Sequence, residues 1–204
     1  MSFTLATLKT AVQDYLQVSE TTFTSQLNTF IQESESRIFK MVQLPEQRKN
    51  VQGTASSGNR FLATPSDFYA PFSLAIIDGN NKYIYLDFKH PSFLKEYSPT
   101  STVTGQPKYY SLFDESAFEM SPVPNSNYTV ELHYLHKPAS LTVGSDSGTT
   151  VLSTDHPDAL LYGTLVEGAI FLKETPDVIA NFEARFKEAV SRMKNLSEGR
   201  DTRD

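Results

Sequence analysis

The sequence predicts an α+β protein. Two N-terminal and two C-terminal helices form an antiparallel four-helix bundle, and an antiparallel β-sandwich or barrel-like unit is inserted between the second and third helices. Three observations carry this. Apolar residues recur at helical spacing over residues 1–45 and again from residue 157 onward. Between Gln47 and Pro138 the period falls to two. Neither helical stretch can bury its apolar stripe alone, so the two are expected to cover each other. The expected division is residues 1–46 and 155–204 for the bundle and 47–154 for the β domain.

Taken in order, Leu5, Leu8, Val12 and Tyr15 mark a first helix, with Ser2 as its N-cap. A turn around Ser19–Thr22 follows. Phe23, Leu27, Phe30, Ile31, Ile38 and Met41 trace a second, longer stripe that Ser34 interrupts and Pro45 closes. Val51 and Gly53, then Phe61 and Ala63, flank Ser56-Ser-Gly-Asn59 and read as a hairpin. Leu74–Ile77 and Tyr83–Leu86 around Asp78-Gly-Asn-Asn81 make the clearest hairpin. Tyr109–Phe113 and Phe118–Met120 make another, and Val130, Leu132 and Tyr134 alternate with polar neighbours along an amphipathic strand. His90–Tyr97 reads as a helical turn among six or seven short strands.

Residues 138–154 form a Gly/Ser/Thr-rich loop. Pro157 opens the third helix, with Thr154 or Asp155 as cap. Its core, ALLYGTLVEGAIFLK, is almost continuously apolar, and Gly163 and Gly168 within it are expected to be points of close packing. Thr175-Pro-Asp177 starts the last helix. Ile179, Phe182, Phe186, Ala189, Met193 and Leu196 then form a seam spaced three and four apart over ~30 Å. Gly199 stands where a C-cap belongs, leaving Arg200–Asp204 as a charged tail.

Composition excludes several function classes. There is no cysteine, which removes disulfide scaffolds, thiol nucleophiles and iron–sulfur sites. The net charge of −6 is spread along the chain: 3 basic against 4 acidic side chains over residues 1–45, 8 against 11 over 46–156, and 7 against 9 over 157–204. No basic patch arises, so tight sequence-independent binding to a phosphate backbone is not expected. No apolar run approaches the ~18 residues that a membrane-spanning helix needs, and the first twelve residues lack the pattern of a secretory signal.

No catalytic constellation is visible. Phosphate-loop and dinucleotide fingerprints are absent. Gly144–Gly148 carries Asp146 where a hydrolase nucleophile would stand. His133 and His136, three apart on a strand, point to opposite faces. The pairs Asp114–Glu115 and Glu33/Glu35 read as a turn and a solvated helix face. Tyr109 and Tyr110 place one ring on each face of their strand, so one of them is expected at the surface, where tyrosine favours protein interfaces.

Several stretches, in order and spacing, resemble the head-to-tail adaptor (connector) proteins of tailed bacteriophages, of the tail-tubular A or neck type. They are Arg37-Ile-Phe-Lys40 running to Leu44–Lys49, Phe61–Phe68, Gly105–Tyr110, Glu131–Tyr134 with Lys137-Pro138, Leu160–Gly163 with Phe171–Lys173, and Phe182–Leu196. The resemblance implies a structural virion protein without enzyme activity or cofactor. It implies a twelve-membered ring between the portal protein and the tail nozzle or next tail protein, with double-stranded DNA passing through the lumen without sequence-specific binding. Arg192, Lys194, Leu196, Arg200 and Arg203 are the candidates for portal docking. Asp78, Asn80, Asn81, Tyr109 and Tyr110 are the candidates for contacts with protomers or the tail. The alternative is a carbohydrate- or receptor-binding virion protein acting through its aromatic-rich β domain.

Overall fold

A computed structural model describes residues 2–201 and divides the chain into two compact units, residues 1–46 with 139–204 and residues 47–138. The chain enters through three helices, α1 (Leu5–Leu16), α2 (Thr21–Thr24) and α3 (Leu27–Met41). Thr4, not Ser2, caps α1. Its hydroxyl accepts the Thr7 N–H, and the Thr7 hydroxyl accepts the Thr4 N–H in return. Ser34 does not break α3; its side chain is fully buried and donates to the Leu160 carbonyl. Met41, by contrast, turns outward.

The β unit then contributes β1 (Arg48–Ala55), β2 (Phe61–Ala63), β3 (Phe68–Ile77), β4 (Tyr83–Tyr85), β5 (Asp87–Phe88), helix α4 (Pro91–Tyr97), β6 (Thr104–Gly105), β7 (Tyr109–Asp114), β8 (Ala117–Ser121), β9 (Val123–Pro124) and β10 (Tyr128–His136). Two four-stranded sheets, ordered β1-β10-β3-β4 and β2-β8-β7-β5, face each other, with a small β6-β9 pair beside them. Ala55, Leu74, Ile76, Val130, Leu132 and Tyr134 from the first sheet share one core with Leu62, Tyr110, Phe118 and Met120 from the second. The unit is therefore a sandwich rather than a barrel.

The β3–β4 and β7–β8 hairpins form as expected. The hairpin read across Ser56–Asn59 does not. β1 pairs with β10 and β2 with β8, so this turn carries the chain from one sheet to the other. Two short pairs, β5–β7 and β6–β9, are parallel, so the strands are not uniformly antiparallel.

The chain returns to the helical unit with α5 (Val151–Asp155), α6 (Pro157–Phe171) and α7 (Pro176–Asp201). Thr154 and Asp155 lie inside α5 rather than capping α6; His156 stands at that position without a side-chain bond. Residues 139–154, read from sequence as part of the β domain, belong with the helices, because Leu141 and Leu152 are buried in the helical core. Helix α6 packs against α1, α3 and α7. A helix with neighbours on three sides has little solvated face, which explains its continuous apolar run. Its glycines are the closest approaches. A Cβ at Gly168 would stand 2.8 Å from Leu16 Cδ1, and one at Gly163 would meet Phe186 at 3.0 Å and the Ser34 hydroxyl nearer still.

Glu35 is the polar anomaly of this core. It is 4% exposed, and its Oε1 accepts the Leu141 N–H at 2.9 Å, pinning the turn 106 residues away to α3. Burial pushes its carboxyl above the ordinary 4.5, while bonds from Ser140 and Leu141 pull partly back. A raised native pKa means that the stabilising proton is held below the ordinary value and lost as pH rises through the native one. Glu35→Gln keeps the acceptor and removes the charge. It is expected to flatten the decline of unfolding free energy between pH 4.5 and neutrality, read by urea titration at several pH values. A decline as steep as that of the parent protein would assign the effect to another group.

Candidate assembly surfaces

Helix α7 carries the docking candidates, and its burial pattern sorts them. Phe186, Ala189, Val190, Met193 and Ser197 face inward, while Leu196 is 62% exposed. The α-helical repeat drifts by ~20° per heptad against a strict 3.5 spacing, so the inner position passes from Leu196 to Ser197 near the end. Ser197 secures it by donating to the Gln43 carbonyl at 2.6 Å. Leu196 therefore drops out of the expected seam and becomes an apolar side chain presented outward.

Arg192 is tied within the unit, to Asp158 at 2.5 Å and Glu188 at 2.6 Å, and these carboxylates hold its guanidinium firmly charged. Both pairs are exposed, so solvent screens them and they contribute little to stability. Lys194 is exposed one turn before Ser197. Gly199 does not end the helix: α7 runs on to Asp201 with Arg200 inside it. Arg203 lies outside the described residues.

In the β unit the β3–β4 tip is a built knuckle. The Asp78 carboxylate accepts the N–H groups of Asn80 at 2.8 Å and Lys82 at 2.9 Å, and these bonds draw its carboxyl below the ordinary range. Asn81 adopts φ 58°, which asparagine tolerates better than most residues. Asn80 and Asn81 are exposed. The tyrosine pair divides as expected, but unequally. Tyr110 is 3% exposed inside the sandwich, edge-on to Phe118, and burial raises its phenol pKa, so it is withdrawn from any contact surface. Tyr109 is half-buried and meets Phe93 and Tyr97 edge-on, both at 5.0 Å.

Sequence reasoning missed the outer face of the first sheet. There Glu131 accepts hydrogen bonds from Gln52 at 3.1 Å and Tyr83 at 3.4 Å, with His133 at 3.2 Å. Gln52, then His133 and Asn50, hold its carboxyl below the ordinary value despite the counteracting burial. The register that lines up Gln52 with Glu131 and Asn50 with His133 creates this network, and no local motif announces a register. Tyr69, Phe72 and Tyr85 are exposed in the same sheet, with Arg48 stacked over Phe72 at 4.7 Å.

In the helical unit a shallow cavity of about 320 Å³ is lined by Tyr15, Tyr162, Val178, Asn181, Phe182 and Arg185. Arg185 bonds both Tyr162 and Asn181 across it, leaving no reactive pair. Among the described residues no three His, Cys, Asp or Glu side chains gather as a metal site. Among them, too, no helix is long and apolar enough to cross a membrane.

These surfaces present outward apolar and charged groups on helix and sheet frames. None of the curated proteins matches the chain. A protein-family model described as SU10 adaptor protein matches residues 3–204. That match spans nearly the whole sequence, so the chain belongs to the SU10 adaptor protein family and is a structural phage adaptor of the virion.

Proposed function

We propose that the chain forms a ring between the portal and the tail, with twelve copies as the resemblance to tail-tubular A and neck adaptors implies, and that double-stranded DNA crosses its lumen. The observation that carries the docking end is α7: Leu196, 62% exposed, and Lys194 stand outward where Ser197 closes the core. An apolar side chain beside a cation, on a rigid helix, is the composition of a protein contact. The net charge of −6 suits a conduit, because a basic lumen would hold DNA by counterion release.

The test is deletion of residues 198–204, which spares the Ser197 bond to Gln43, combined with Leu196→Asp. The variant is expected to unfold at the parent midpoint and to lose assembly on the portal, read by native mass of the mixture. Complete rings on the portal would place docking elsewhere.

A second reading, saccharide or receptor binding through the β unit, draws on Tyr83 and Tyr85 beside the Glu131 network. Saturable oligosaccharide binding that is lost in Tyr85→Ala would favour it.

A further inference from the structure

Four buried side-chain oxygens have no hydrogen-bond partner among the described residues, and three of them lie on one hairpin: Glu119 Oε2, Ser111 Oγ and Ser121 Oγ. Glu119, Ser111 and Ser121 are 2%, 0% and 2% exposed. The β7–β8 register sets Ser111 directly opposite Glu119, and Ser121 follows two residues along the same face. Phe118 and Met120 point the other way, into the sandwich core. Helix α4 covers the polar face: Lys95 reaches Glu119, and Phe93 and Tyr97 close over Tyr109, the cross-strand partner of Ser121.

The spacing is telling. Opposed residues on an antiparallel pair carry Cβ atoms ~5 Å apart. Glu119 and Ser111 are thus side-chain neighbours, yet neither Glu119 Oε2 nor Ser111 Oγ has a hydrogen-bond partner. Neighbouring buried polar groups left without partners are the setting that one bridging water fills, provided two to four of them surround it.

Charge selects the occupant. Arg60, at 3.0 Å, and Lys95 both bind the other oxygen, Oε1, and set two positive charges against one carboxylate. A cation is repelled by that pair, and an anion by Oε2. A neutral molecule that donates to Oε2 and accepts from the serine hydroxyls satisfies every group.

We propose that a single buried water, held by Glu119, Ser111 and Ser121, is an integral part of the β unit and joins the β7–β8 hairpin beneath α4. The site is independent of the assembly reading.

Two measurements on the full chain test it. The first is a crystal structure at a resolution that shows ordered water. One density peak within bonding reach of Glu119 Oε2 and at least one serine hydroxyl is expected. Direct contact between these oxygens, or serine rotamers satisfied by nearby carbonyls, overturns the proposal. So does an anomalous signal at the peak after sodium is replaced by rubidium. The second is water-oxygen magnetic relaxation dispersion. Ser111→Val, which fills the space with a methyl group, is expected to lose the contribution of one long-lived water, whereas Ser111→Ala retains it. Equal amplitude in the parent and the valine variant counts against the site. If the valine variant fails to fold, the density in the parent decides alone.

Discussion

Gly163→Val is expected to cost about 3 kcal/mol, at the upper end for overpacking in a close-packed core. The first added atom already meets Phe186 at 3.0 Å and comes closer still to the Ser34 hydroxyl. Residue 163 is where α3, α6 and α7 converge, so the Ser34 hydroxyl and the Phe186 ring must both give way in a packed interior. The chain has no tryptophan, so far-ultraviolet circular dichroism in urea is the natural readout, and loss should be confined to the helical transition. The pair Gly163→Ala with Ser34→Gly is expected to be less damaging than the sum of its parts, since the second change removes the atom that the first one strikes. Strict additivity would show that Phe186, not Ser34, sets the limit.

Glu119→Ala is expected to cost about 3 kcal/mol in the β unit, because removing one partner from a buried ion pair leaves the others uncompensated. Arg60 retains 17% side-chain exposure and cannot follow its charge into water as easily as Lys95, which retains 51%. The asymmetry gives a second expectation: adding Arg60→Met recovers more stability than adding Lys95→Met. Urea midpoints of the four proteins check both. A cost below about 0.5 kcal/mol, as for an exposed pair, would mean that bulk solvent already screens the carboxylate.

What the sequence made legible followed short range. The Asp78–Asn81 hairpin, Pro157 and Thr175-Pro176 as helix starts, and the glycines of α6 all announce themselves within a few residues. The misreadings share a cause. Phe61–Ala63 reads as the partner of the nearest strand, but β8, with which it pairs, begins more than fifty residues later. Residues 139–154 look like a polar loop; their place among the helices depends on Leu141, Leu152 and a bond to Glu35 from across the chain. Glu119 lies between Phe118 and Met120 on the face of β8 turned away from the sandwich core. Only α4 and Arg60 turn that face into an interior. Of the candidate site, Leu196 is legible as apolar, but its spacing puts it in the inner seam; Ser197, bound to the distant Gln43 carbonyl, takes that place instead.

The split of the helical unit has a consequence for biosynthesis. Its core needs Leu8 and Ile31 from the first stretch of chain and Leu160 and Phe186 from the last. A ribosome therefore releases the β unit, residues 47–138, well before the partners of α1 and α3 have been made. At ~5–20 residues per second, the nascent N-terminal helices wait several seconds with their apolar faces uncovered. In that interval these helices, rather than the sandwich, are the part of the molecule that calls for a chaperone. A gene encoding a circular permutant that begins at residue 139 and links residue 204 to residue 1 would shorten the wait without changing a single side chain of the core.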